Sequence, residues 1–281
     1  MLAVTAHFVS LLTDFGLADP SVAACKGVIL GIDPDACLID VSHGIARHSV
    51  AQGAAILWAA LPYLPVGVHL AVVDPGVGTE RRPIGLQTGR GDHLVGPDNG
   101  LLLPAAERLG GIVAAHLLEA DAYRLTPLSR TFHARDVFAP AAAHLARGVA
   151  LGAFGPPLEP STLAQLEMPA PIASGGRLEA SAVFVDTWGN VQLLAELSDL
   201  ETALGRVVPG DELAVEATDG SSPNGPTAIE LRWRLTYGQA EPGEPLLCLD
   251  SYGRLALAVN LQSAAEKFGL GPGRRLRIGR R

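Results

Sequence analysis

The feature that most constrains this chain is a change of hydrophobic rhythm a little past its midpoint. In the first part, short apolar runs at 8–12 (FVSLL), 68–73 (VHLAVV), 84–87 (IGLQ) and 93–96 (HLVG) stop at turn-forming residues, as strands buried on both faces do. Between and after them, 21–31 (SVAACKGVILG), 49–61 (SVAQGAAILWAAL) and 136–149 (DVFAPAAAHLARGV) carry apolar residues at helical spacing, the first entered through Asp19-Pro20, a good helix start. Strands alternating with helices predict an α/β layer with a mostly parallel central sheet. After a stretch dense in Pro and Gly, the runs at 178–185, 191–194, 229–237, 245–249 and 254–259 alternate or are short and apolar, which predicts a smaller antiparallel, all-β, barrel-like domain. The expected organisation is an N-terminal α/β catalytic domain over 1–155, a linker over 156–176 and a C-terminal β domain over 177–281.

With 48% apolar and 18% charged residues in 281, the chain can bury a real core and does not have the composition of a disordered one. A net charge of −8, with its one dense basic run at 273–281, argues against a nucleic-acid partner, which calls for many clustered cations. That run reads as a solvated tail or a last strand. No G-x-x-x-x-G-K-[ST], G-x-S-x-G, H-E-x-x-H or paired C-x-x-C occurs, so phosphate-loop, serine-hydrolase and zinc readings have no anchor. Asp14-Phe15-Gly16 matches a kinase tripeptide only by chance, since no catalytic loop precedes it. Cys25, Cys37 and Cys248 are odd in number and lack metal-ligand spacing, so buried free thiols in a reducing cytoplasm are expected. The opening segment has no basic run before its apolar residues and reaches Asp14 too soon to span a bilayer, so it reads as a first strand.

Acids at strand ends carry the chemistry. Asp14 and Asp19 (LLTDFGLAD) follow the first strand, where open α/β sheets bind ligands; Asp19 serves equally well as a cap for the next helix. VVDPGVGTERR repeats the arrangement with Asp74, a Gly-rich turn that lets backbone approach a ligand, and Arg81 and Arg82. GPDNGLL offers Asp98 and Asn99, and TFHARDVFAP offers His133, Arg135 and Asp136, each also readable as turn or helix-start chemistry. All eight histidines lie at or before His144, which sites acid/base chemistry in the first domain. In the second, VDTWGN and LDSYGRLALAVN place polar groups at strand ends beside glycines.

In register over about 250 residues, TDFGLAD, KGVILGIDPDACLIDVSHGI, VVDPGVGTERR, VGPDNGLL, FHARDVFAP, VDTWGNV and LDSYGRLALAVN resemble the S-adenosyl-L-methionine hydrolase (hydroxide adenosyltransferase) family, relatives of fluorinase and chlorinase. The resemblance implies attack of water or hydroxide on ribose C5′ of S-adenosyl-L-methionine, giving adenosine and L-methionine without a metal or other cofactor. It implies Asp74, Arg81 and His133 as the catalytic set and prefers Arg81 over Arg82. Asp14 would hold the ribose hydroxyls, with Asp19 and Ser21 near the methionine end, Asp186 on its amine, Asn190 on adenine and Ser251 on the carboxylate; Thr79, Tyr252 and Asn260 complete the implied binding set. The implied assembly is a homotrimer with sites at subunit interfaces. Ala134 stands where fluorinase has a halide-binding serine, which points to hydrolysis, and Tyr252 stands where halogenases carry an arginine.

Two other readings remain open on the residues alone. A nucleoside N-ribohydrolase binds calcium and ribose through clustered aspartates, which TDFGLAD half fits. A non-catalytic sensor of S-adenosylmethionine or adenosine would bind without turnover.

Overall fold

The computed structural model describes residues 7–166, 168–218 and 228–281; residues 1–6 of the expected first strand and residue 167 of the expected linker lie outside them. The chain forms two compact units, Met1–Glu167 and Met168–Arg281.

The first unit is the α/β layer that the early rhythm predicts. Its strands are β1 (His7–Thr13), β2 (Ala36–Ser42), β3 (Val68–Val72), β4 (Pro83–Thr88), β5 (His93–Pro97) and β6 (Ile112–Leu117), and its helices are α1 (Ser21–Ile32), α2 (Val50–Ala60), α3 (Leu103–Arg108) and α4 (Ala139–Ala146). The sheet order is β2-β1-β3-β5-β4-β6. The β1–β2, β1–β3 and β3–β5 pairs are parallel, and β4 runs antiparallel to both its neighbours. Strand alternation sends Val9 and Leu11 to a core shared with Cys25, Ile29 and Phe138, while Leu12, Ala71 and Val73 join Leu57 and Leu101 on the other face. Burying a leucine in either layer contributes roughly 2 kcal/mol.

Chain order reverses at β1, which has β2 on one side and β3 on the other. Such a switch point opens a crevice at the carboxyl ends of the strands. Thr13 pairs with Val72 there, so the segments that follow β1 and β3, carrying Asp14 and Asp74, emerge side by side.

Within the sheet, Ser10 Oγ meets His69 Nδ1 at 2.7 Å, and His69 Nε2 meets Asp92 Oδ1 at 3.0 Å. The order of groups is that of a serine-hydrolase triad, but all three are at most 2% exposed, so no substrate reaches them. Burial works to raise the Asp92 pKa, but hydrogen bonds from His69 and Arg90 outweigh it and hold the carboxyl well below the usual range.

Residues 157–166, read from composition as linker, pack on the first unit. Leu158 N donates to Ala115 O, Ala164 N donates to Asp98 Oδ1, and Leu163 is buried.

The second unit contains β7 (Ile172–Ser174), β8 (Arg177–Val185), β9 (Val191–Glu196), α5 (Leu197–Leu204), β10 (Glu212–Ala217), β11 (Ile229–Trp233), β12 (Pro245–Leu249), β13 (Arg254–Val259), α6 (Ala264–Phe268) and β14 (Arg275–Arg280). The strands follow the order β14-β10-β11-β12-β13-β9-β8-β7, and a β14–β8 pairing closes them into a barrel. All neighbours run antiparallel except β11 and β12. The expected strand over 229–237 ends at Trp233 and gives way to a short helical turn at Tyr237–Gln239. The basic C-terminal run is the closing strand, and its Arg277 and Arg280 are paired with Glu179 and Asp211.

Candidate active site

The segment after β3 folds into the Gly-rich turn 74–79, with Val77 N donating to Asp74 O and Thr79 N to Gly76 O. Thr79 Oγ1 donates to Gly76 O at 2.7 Å and accepts from Arg81 N, so Thr79 shapes the turn. The turn brings Arg81 back over Asp74 in a two-bond fork, Nε to Oδ1 at 3.1 Å and Nη2 to Oδ2 at 2.5 Å. Both side chains are under 10% exposed, where a charge pair is shielded from water and strongly directional. Gly78, at φ +78°, has a second role: a Cβ there would stand 2.6 Å from Arg130 O. Only glycine lets the 130–133 segment approach this closely.

That segment ends at His133, which precedes a π-helical turn, Ala134–Phe138, running into α4. Wide turns of this kind occur often at functional sites. Arg81 Nη2 lies 3.2 Å from His133 Nδ1, and the guanidinium sits 5.2 Å from the centre of the Phe138 ring. Because the guanidinium can only donate, His133 Nδ1 accepts and the ring proton belongs on Nε2. Burial, reinforced by the Arg81 charge and only partly opposed by Asp74, moves the His133 pKa below its ordinary value. The ring is thus neutral at pH 7, as the accepted bond requires. Arg81 Nη1 is buried with no hydrogen-bond partner among the described residues.

Asp74 and His133 line a cleft of about 350 Å³ with Asp14, Phe15, Asp19, Arg47, His48, Val77, Phe132 and Ala134 among its walls. Asp14 Oδ2 accepts from His48 N at 2.9 Å, a bond made possible by the left-handed backbone of His48 at φ +64°. Phe15 and Phe132 meet edge to face, 6.0 Å between centres, and form an apolar wall. Asp19 Oδ1 accepts from Ser21 N at 2.8 Å, and hydrogen bonds from Ser21 lower its pKa. Asp19 therefore both steadies the start of α1 and borders the cleft, while Ser21 is not among the lining residues.

The other strand-end polar groups support the cleft from outside. Arg82 turns away from Asp74 to bond Asp98 Oδ2 at 2.7 Å and Thr162 O at 2.6 Å, which settles the choice between the two arginines for contact with Asp74. Asn99 Nδ2 donates to Val73 O at 2.8 Å, just before Asp74. Asp136 accepts two bonds from Arg135 and one from Ser129 N. Sequence reasoning missed Arg47, His48, Phe15 and Phe132 as cleft walls. A His-Ser pair before a helix was the one available signal for His48.

In the second unit, Asn190 and Asn260 line a more apolar cleft of about 590 Å³ with Trp188, Tyr237 and Leu261. Asp186 accepts from Trp188 N, Asn190 N, Asn190 Nδ2 and Gln192 Nε2. Asn260 Nδ2 donates to Ala240 O at 2.7 Å. Ser251 and Tyr252 are exposed on the turn between β12 and β13, whose shape Asp250 fixes by accepting from Tyr252 N and Arg254 N. Among the described residues, no group of three or more His, Cys, Asp or Glu side chains is arranged to hold a metal ion.

The SAM hydroxide adenosyltransferase N-terminal domain matches residues 9–155, and the corresponding C-terminal domain matches 180–277. The chain belongs to the SAM hydroxide adenosyltransferase family. It is 47% identical to an (R)-S-adenosyl-L-methionine hydrolase of Salinispora tropica, over 96% of this chain and 97% of the relative. A fluorinase of Actinopolyspora mzabensis is more distant, 27% identical over 97% of each chain. A crystal structure of an uncharacterized conserved protein from Thermotoga maritima superimposes with a TM-score of 0.89 at 32% identity, covering 97% of this chain and all of that one. Within this SAM hydroxide adenosyltransferase fold, Ala134 lines the cleft, is 4% exposed and brings no hydroxyl to it.

Proposed function

We propose that this protein hydrolyses S-adenosyl-L-methionine by attack of water on ribose C5′, releasing adenosine and L-methionine. The observation that carries the reading is the Asp74–Arg81–His133 constellation on a cleft bordered by three carboxylates. A water oxygen bonds to C5′ as the C5′–S bond breaks; the electron pair of that bond goes to sulfur, and the water gives up one proton and keeps the other as the 5′-hydroxyl of adenosine. A sulfonium is already a good leaving group, so the main task is to orient the nucleophile in a sheltered site, where orientation alone contributes up to about 10 kcal/mol. Asp74 orients the water and receives its proton, with His133 beside it. Arg81, bonded to both, holds the Asp74 carboxylate and the His133 ring in place for this step.

Asp14 takes the ribose hydroxyls, with Asp19 and Ser21 toward the methionine end. The carboxylates of Asp14, Asp19 and Asp74 favour a cationic substrate. The flat, mostly apolar walls of Trp188 and Tyr237 beside Asn190 suit a purine. Asp186 and Ser251 hold the amine and carboxylate of methionine, with Thr79, Tyr252 and Asn260 supporting the contacts. No metal or other cofactor takes part in this reading, because the leaving group needs no Lewis acid. The active assembly is a homotrimer whose sites draw on neighbouring copies of the chain.

Among the described residues, no helix is long and apolar enough to cross a membrane. The thiols of Cys25 and Cys248 are buried, whereas that of Cys37, expected to be buried, is exposed; the proposed cytoplasmic location rests on the odd number of cysteines. The deciding assay incubates purified protein with each sulfonium epimer, since the Salinispora relative is named for the (R) form, and follows adenosine and methionine. Asp74→Ala is expected to abolish turnover while retaining binding. Binding without product from either epimer in the wild type would favour a sensor, and release of adenine would favour an N-ribohydrolase.

A further inference from the structure

Asp14 stands at the mouth of the cleft on a loop whose backbone is gripped by residues outside the catalytic set. Thr13, the last residue of β1, is 2% exposed, and its Oγ1 lies 2.8 Å from His43 Nδ1. His43 is itself buried, and its Nε2 lies 3.0 Å from Asp40 Oδ1. Lys26 Nζ on α1 donates to the other Asp40 oxygen at 2.6 Å. At the near end, Phe15 N donates to Thr13 Oγ1 at 3.3 Å, and Gly16 N donates to His43 O at 2.8 Å.

The donors and acceptors fall in one consistent order. An ionised Asp40 accepts the Nε2 proton of His43, which leaves Nδ1 as an acceptor for the Thr13 hydroxyl, whose oxygen accepts the Phe15 amide. The segment 40–48 thus holds Asp14 at two points: His43 fixes the backbone on either side of it, and His48 N binds its carboxylate.

We propose that Thr13, His43 and Asp40 form a positioning relay that sets the Asp14 carboxylate and the Phe15 ring for the ribose of the substrate. Thr13 and His43 are buried, so breaking the bond between them strands a polar group and their pairing specifies one conformation, while Asp40, nearly half exposed, anchors the outer end. Phe15 and Asp14 both line the cleft, so the conformation specified is that of the binding wall. Acting on the ground-state grip of the ribose, the relay governs KM and selectivity for ribose far more than the chemical step. The proposal rests on the reading of Asp14 as the ribose ligand.

The test measures binding of adenosine and 2′-deoxyadenosine by calorimetry, and S-adenosylmethionine kinetics, for wild type, Thr13→Val, Thr13→Ser and His43→Gln as full-length proteins. Thr13→Val and His43→Gln should raise KM roughly tenfold with kcat within about threefold, and should bring the preference for adenosine close to one. Thr13→Ser, which keeps the hydroxyl, should retain the wild-type preference. Folded Thr13→Val and His43→Gln proteins that keep both the wild-type KM and the wild-type preference would overturn the relay while leaving the Asp14 assignment standing. Equal binding of the two nucleosides by the wild type would instead remove the ribose role of Asp14, and the relay with it.

Discussion

At the residue scale, the proposed chemistry rests on the buried pair of Asp74 and Arg81. Removing either partner strands the other's charge, at a cost of about 3–5 kcal/mol, so Asp74→Ala should lower the melting temperature as well as end turnover. Arg81→Lys keeps the charge but loses the fork and the bond to His133; kcat is expected to fall about 100-fold with little change in KM, as measured by steady-state kinetics. Arg82→Ala should instead retain kcat and lose only stability, because Arg82 braces Asp98 and Thr162. The lowered pKa of His133 sets the pH response. The ring accepts from Arg81 only when neutral, so kcat/KM should hold on descending from pH 7 and fall at an inflection below the ordinary imidazole value of about 6.5. An acid limb centred above that value would contradict the neutral role. Much of this was legible in VVDPGVGTERR and FHAR, since strand-end acids, glycines and a histidine name themselves. What the letters did not show was which arginine faces Asp74, because Arg81 and Arg82 differ only in the direction the turn gives them. Nor did they show His48, whose contribution is a backbone amide in a left-handed conformation that no side chain announces.

At the element scale, the turn after β3 and the segment before α4 must touch, and Gly78 is the point of contact. Gly78→Ala should separate them, since its φ is left-handed and its Cβ would meet Arg130 O. Beyond a strain of about 1–2 kcal/mol, the variant should lose kcat by moving His133 away from Arg81, and thermal melting together with kinetics would show both effects. The long runs that became β1, β3, α1, α2 and α4 were readable because each buries a continuous apolar stripe. β2 (ACLIDVS) was missed because Asp40 interrupts its apolar run, and Asp40 is there to bond His43 and Lys26. β6, α3 and α6 are short elements with weak period, whereas α5 (LSDLETAL) was overlooked although its leucines stand at helical spacing behind a capping box. β14 reads as a charged tail until its alternation is seen: Leu276 and Ile278 point into the barrel while the arginines pair on the outside. The stretch after α4 looks like a linker because of its prolines and glycines, yet Leu163 and the bonds to Arg82 and Asp98 dock part of it on the first unit.

At the scale of the whole molecule, the chain joins a switch-point α/β unit to a closed β barrel, the two fold classes that the change of hydrophobic rhythm predicts. Full activity should survive exhaustive treatment with EDTA, because the proposed chemistry uses no metal; loss of activity restored by calcium would favour the ribohydrolase. A homotrimer should be visible by light scattering, and mixing Asp74→Ala with Asn190→Ala subunits should restore part of the activity that each lacks alone, if sites draw on two copies. The central claim is that water attacks C5′ directly, and turnover of S-adenosyl-L-methionine in ¹⁸O-labelled water with mass spectrometry of the product tests it most directly. Direct attack places one ¹⁸O atom in the 5′-hydroxyl of adenosine. Adenosine formed without label at that oxygen would contradict it.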